Sequence, residues 1–194
     1  MAAVFGLGNP GEGYALTRHN VGFRVLDELR SRWRARPGER SAEYREWVAE
    51  YCGKAVALVQ PLTFMNESGA ALKAWRERRA ADDADLLVVA DDVYLPVGFV
   101  RLRRRGSSGG HRGLASIEAA LGTANFARLR VGIGAVESQG LRGYVLDEPA
   151  AAEAEAMQDG IRVAADAVEC WLDEGILAAM NQFNRRVRRE ASES

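Results

Sequence analysis

Val4-Phe5-Gly6-Leu7-Gly8-Asn9-Pro10-Gly11-Glu12-Gly13-Tyr14-Ala15-Leu16-Thr17-Arg18-His19-Asn20 is the stretch whose reading decides the fold. The apolar start, Ala2 to Leu7, predicts a buried strand that ends where the glycines begin. Asn9-Pro10-Gly11 then forces a turn, because proline fixes φ and glycine supplies conformations other residues avoid. Four polar side chains in a row, Thr17 to Asn20, precede an apolar helical pattern that starts at Val21. Strand, tight turn, polar cluster and helix is how an α/β protein builds a site above the carboxyl edge of its sheet. His19 is one of only two histidines, and the other, His111, also lies in a glycine-rich stretch.

Gly6 to Gly11 fits G-x-G-x-x-G, the dinucleotide fingerprint. That motif needs a helix opening directly on the loop, and an acidic residue closing a second strand about 20 residues on. Here the polar run delays the helix, and Ser31 to Arg36 is arginine-rich rather than strand-like. Both points make the nucleotide reading the weaker one, and absence of NAD(H) binding in a fluorescence titration would remove it.

Outward from this stretch, the 194 residues suit one domain with a core that needs no staples. The 47% hydrophobic and 27% charged content is that of an ordinary globular protein. Cys52 and Cys170 lack metal-ligand spacing and fit a reducing compartment. With no bilayer-length apolar run and no signal-peptide layout, the expected location is cytoplasmic, with no membrane partner.

A net charge of −1 hides a segregation. Gly98 to Leu146 carries eight Arg against two Glu, whereas Asp147 to Glu174 carries nine acidic residues against Arg162. Arg185, Arg186, Arg188 and Arg189 follow in the tail. A basic stretch within a neutral chain fits a polyanion held on one face.

Helical spacing of Val21, Val25, Leu26, Leu29 and Trp33 predicts a core-facing helix to about Arg34. Tyr44 to Tyr51 and Lys54 to Gln60 read as a hairpin turning at Cys52-Gly53. A loop from Pro61 leads to a helix through about Arg79, with Asn66 or Ser68 as cap. Leu86 to Ala90 is a short apolar strand running into Asp91-Asp92, and Val97 to Arg103 another, with Arg101 and Arg103 on one face. After the loop Arg104 to Arg112 come a short helix stopped by Gly122 and a strand from Ala127 to Gly134. Val136 to Pro149 reads as a polar connection, followed by an amphipathic helix from Ala150 to Leu172 and a shorter one from Ile176. The expected fold is a single three-layer α/β/α domain around a mixed, mostly parallel twisted sheet.

If the strand ends share one edge, four loops converge: those with Asn9 and His19, with Phe64 and Asn66, with Asp91, and with Gly109, Gly110, His111 and Arg112. A neutral histidine can take a proton from water, and a carboxylate holds its tautomer and stabilises the imidazolium. Asp91 is the best-placed carboxylate. An asparagine amide can orient water or polarise a carbonyl, and glycine N–H groups can receive an oxyanion. Gly106 to Gly110 spells G-x-S-x-G only within the long loop Arg104 to Arg112, not at a tight strand-to-helix elbow, and no His-x-x-x-His pair exists, which argues against serine and zinc hydrolysis. Hydrolysis of an activated bond such as an ester is the simplest remaining reaction.

Beyond these residues, GLGNPGEGYALTRHNVGF, PLTFMNESG, LLVVADDVYLPVG, SSGGHRGLASI and FARLRVGIG resemble, in order, the motifs of bacterial peptidyl-tRNA hydrolases. The resemblance implies cleavage of the ester between a peptide and the 3′ end of tRNA, recycling tRNA from aborted translation. It also implies no cofactor, no metal, no obligate protein partner and a monomer. It makes His19 the general base and Asp91 its support, with Asn9 telling a blocked amine from a free one. Asn66 would hold the carbonyl or water, while Tyr14 and Phe64 flank the tRNA acceptor end; their positions alone favour core packing and a loop anchor. Gly109, His111 and Arg112 would line the substrate site, and Arg101, Arg103 and Arg105 fall where the family contacts tRNA phosphates.

Three positions depart from the pattern: Ala90 stands for a His, Tyr94 for an Asp, and Arg112 for the Asn after Gly-Gly-His. Arginine cannot accept a hydrogen bond, so Arg112 can instead hold a phosphate or pair with Asp91 or Asp92. The last pairing would draw the carboxylate away from His19, which motivates the alternative of a catalytically weakened RNA-binding relative. A hydrolase for small acylated molecules is the third reading.

Overall fold

The computed structural model describes residues 1–79, 85–134 and 141–184. One mixed sheet of seven strands organises them: β1 (Ala2–Gly6), β2 (Arg36–Arg40), β3 (Tyr44–Tyr51), β4 (Lys54–Pro61), β5 (Leu86–Asp92), β6 (Val100–Arg103) and β7 (Ala127–Gly132). Their spatial order is β2-β3-β4-β1-β5-β7-β6. β1 pairs in parallel with β4 and β5, and β5 with β7, whereas β2–β3, β3–β4 and β6–β7 are antiparallel. Only β3 and β6 therefore run against the rest, and the sheet is mostly parallel as expected.

Residue alternation along each strand sorts two cores onto opposite faces. Val4, Leu87, Val89, Leu129 and Val131 pack with α1 (Val21–Trp33), α5 (Ala151–Glu174) and α6 (Ile176–Phe183). Phe5, Val59, Val88 and Ala90 pack with α2 (Ser68–Arg78) and α3 (Arg112–Leu121). The sandwich has the three layers that alternating strands and helices predict.

The hairpin turns where expected, with Cys52 and Gly53 both at positive φ. That pair of conformations suits a two-residue hairpin, whose twist matches the strands. Gly122, at φ 68, stops α3. Three expectations need correction. β2 is missing from the sequence reading because its exposed, proline-bearing edge shows no apolar alternation. Within the span read as a polar connection, Leu141–Leu146 forms a short helix, α4; residues 135–140 lie outside the described ones. Neither Asn66 nor Ser68 caps α2: Ser68 is its first residue, and its hydroxyl donates to the Met65 carbonyl at 2.8 Å. The tail arginines also lie outside the described residues.

Gly22 shows why α1 can lie so close to the sheet. A Cβ there would fall 2.4 Å from the Leu7 oxygen and 2.8 Å from the Val89 oxygen, both backbone atoms. Gly22→Ala is expected to destabilise the fold by about 1–3 kcal/mol, the usual cost of overpacking. Urea denaturation measures it, and a change below about 0.5 kcal/mol would show that α1 shifts freely.

Candidate active site

β1, β5 and β7 end side by side, so the loops that follow them meet at one edge of the sheet. A cavity of about 550 Å³ opens there. Asn9, Tyr14, His19, Phe64, Asn66 and Asp91 line it, with Gly109, Gly110, His111 and Arg112 from the glycine-rich loop. The four loops expected to converge do converge.

Asp91 is the centre of the site. It closes β5 and is only 2% exposed. His19 Nδ1 lies 2.7 Å from its Oδ1, and His111 Nε2 lies 2.8 Å from the same oxygen. His111 Nδ1 accepts the Leu114 N–H at 3.2 Å, so its proton resides on Nε2 and is donated to Asp91. Burial pushes the Asp91 pKa up, but the two imidazoles, by charge and by hydrogen bond, outweigh it. The carboxyl is held well below the usual range.

In the tautomer that donates Nδ1–H to Asp91, the lone pair of His19 Nε2 is left available. The turn that carries it, Arg18–Asn20, is fixed by its neighbours. Asn20 Oδ1 accepts the Asn9 N–H at 2.7 Å, and its amide donates to the Asn9 carbonyl at 2.9 Å. Asn9 Oδ1 in turn accepts the Met65 N–H at 2.8 Å. That bond assigns the amide orientation and leaves the Asn9 NH₂ as the group offered to the cavity.

His19, Asp91 and His111 present potential ligand atoms within 4.8 Å of one another. Both nitrogens are, however, at hydrogen-bond distance from a single oxygen. Ligands at zinc distances of about 2.0–2.1 Å in a tetrahedral site would stand roughly 3.3 Å apart, so an ion would have to break both bonds.

Arg112 is exposed, and among the described residues no ion pair joins it to Asp91 or Asp92. Asp92 faces Arg130 instead, at 3.5 Å. Arg130 also donates to the Ser107 and Ser108 carbonyls at 3.2 and 2.8 Å, bracing the glycine-rich loop. Sequence reasoning missed this brace, as it missed the wall formed by Val93, Tyr94, Val145 and Leu146. His111, placed in the sequence reading with the substrate contacts, shares the carboxylate with His19.

Arg101, Arg103 and Arg105 lie outside the cavity lining. Arg101 stands opposite Arg130 and Arg103 opposite Arg128 across β6 and β7. Arg128 is neutralised by Glu118 at 3.0 Å and Arg130 by Asp92. No carboxylate pairs with Arg101 or Arg103 among the described residues.

A family profile described as peptidyl-tRNA hydrolase matches residues 3–192. The chain belongs to the peptidyl-tRNA hydrolase family. It is 43% identical over 184 residues to a peptidyl-tRNA hydrolase of Syntrophomonas wolfei, covering 95% of this chain and all of that one. Its identity to the Bacillus subtilis peptidyl-tRNA hydrolase is 40% over 188 residues, covering 96% and 100%. The crystal structure of the Acinetobacter baumannii peptidyl-tRNA hydrolase superposes with a TM-score of 0.89 at 31% identity, covering 95% of this chain and 94% of that one. Among the described residues, no helix is long and apolar enough to cross a membrane.

Proposed function

We propose that this chain hydrolyses the ester joining a peptide, or an N-blocked aminoacyl group, to the 3′ end of tRNA, with His19 as general base. The observation that carries the reading is the 2.7 Å contact between His19 and the buried Asp91 at the edge of the cavity. His19 Nε2 takes a proton from water as the water oxygen attacks the ester carbonyl. The imidazolium faces the Asp91 carboxylate, which stabilises it. Collapse of the tetrahedral species breaks the bond to the 3′ oxygen, and the imidazolium returns its proton to that alkoxide. Gly109 and Gly110 lie where backbone N–H groups can receive the oxyanion.

Asn9 supplies the discrimination. Its NH₂ can donate to the carbonyl of an N-acyl group, whereas a free ammonium offers no acceptor and is repelled by the same donor. Asn66 holds the ester carbonyl or the water. Tyr14 and Phe64, the latter 55% exposed, flank the terminal nucleotide. Arg101, Arg103 and Arg105 contact the tRNA backbone, where guanidinium forks match phosphate oxygens. Arg112, free of both carboxylates, holds an anionic group of the substrate, and the pairing that motivated a weakened relative is absent from the site. The protein acts as one domain and a monomer in the cytoplasm.

Release of N-acetyl-amino acid from N-acetyl-aminoacyl-tRNA, with unblocked aminoacyl-tRNA left intact, is the expected result. Binding without release would overturn the reading in favour of an RNA-binding module. Salt separates the third reading: log KM should rise with log salt by about 0.7–0.9 for each phosphate contacted. A flat response would mean that the arginines do not engage the backbone and that a small acyl ester is the substrate.

A further inference from the structure

The one-turn helix that carries His19 sends three successive side chains three ways. His19 turns to Asp91 and Asn20 to Asn9. Arg18 turns away from both, and although it is a cation it is only 6% exposed. A charge so buried persists only where its partners replace water. Arg18 Nη2 lies 2.8 Å from Glu153 Oε2, and Nη1 donates to the Glu148 carbonyl at 2.8 Å. Its guanidinium lies 4.1 Å from the centroid of the Tyr144 ring, and its backbone N–H donates to the Asp147 carbonyl at 3.0 Å.

Every one of these partners belongs to α4, to the connection after it, or to the first turn of α5. Two of them are anchored again. The Tyr144 hydroxyl donates to the Ile133 carbonyl just past β7 at 2.6 Å, and Glu153 also accepts the Ala150 N–H at 3.1 Å. α4 ends in Val145 and Leu146, which line the cavity. The planar fork satisfies a carboxylate and a carbonyl while stacking on a ring, a combination that lysine cannot reproduce.

We infer that Arg18 is a positioning residue that fastens the Val145–Leu146 wall of the cleft to the turn bearing the base, and so sets the space open to the acyl group. This rests on the proposed hydrolysis. Arg18 touches no reacting atom, and it acts through the wall.

Arg18→Lys keeps the charge and removes the fork and the stacking. KM for N-acetyl-aminoacyl-tRNA is expected to rise about tenfold, with kcat within about threefold and the pH profile unmoved, because the His19–Asp91 pair is untouched. Glu153→Gln and Tyr144→Leu, neither lining the cavity, guard against a folding defect and should raise KM in the same direction. Hydrogen exchange at the Arg18 amide and at residues 144–148 should quicken about tenfold in Glu153→Gln, with β1 and β5 unchanged. Wild-type protein without turnover overturns the proposed function alone, since exchange still tests the fastening. Unchanged KM beside normal wild-type turnover, or unchanged exchange, overturns the role of Arg18.

Discussion

His19→Ala is expected to lower kcat for N-acetyl-aminoacyl-tRNA by about 10²–10⁴-fold, the range for removing a general base. KM should change little, because the cleft walls and the arginines proposed to hold the nucleic acid remain. The methyl group leaves Asp91 still bonded to His111 at 2.8 Å, so the fold has no reason to fail. Single-turnover kinetics, with a thermal melt as control, separate lost chemistry from lost structure. Unchanged turnover in a folded variant would falsify the assignment of His19.

Asp91→Asn is expected to cost kcat a similar factor by a different route. The amide oxygen can still accept the His19 N–H, but no charge then faces the imidazolium as it forms. The amide is also a donor, so it can press either histidine into the wrong tautomer. The double variant with His19→Ala should be little worse than the poorer single one, because groups that act as a unit are not additive. Additive losses would show that Asp91 acts independently of His19.

The same substitution has a signature in stability. The Asp91 carboxyl is depressed in the folded state despite its burial, through the charges and N–H groups of His19 and His111. A depressed carboxyl contributes stability that is full above its unfolded value, near about 3.9, and lost as pH falls toward the folded value. Wild-type stability should therefore fall below about pH 4, and more gently in Asp91→Asn. Urea midpoints measured down the acid range test this. Parallel curves would place the acid sensitivity elsewhere.

What the sequence by itself determined was local. Ala2 to Leu7 is apolar up to its glycines, Tyr44 to Tyr51 and Lys54 to Gln60 flank a two-residue turn, and Gly122 stops a helix. Period and turn chemistry write such elements into a few neighbouring residues. Ordered motifs also mark Asn9, His19, Asn66 and Asp91 before any contact is known. Where a segment lacks a period, as in the polar edge β2 or the single turn and a half of α4, the chain is silent.

The tertiary structure alone decided the partners. His111 sharing an oxygen with His19, Arg130 taking Asp92 so that Arg112 stays free, and Arg18 reaching Glu153 all join residues far apart in the chain. Each depends on β1, β5 and β7 lying side by side. That order is fixed by burying apolar faces of the whole sheet at once, and no run of neighbouring residues encodes it.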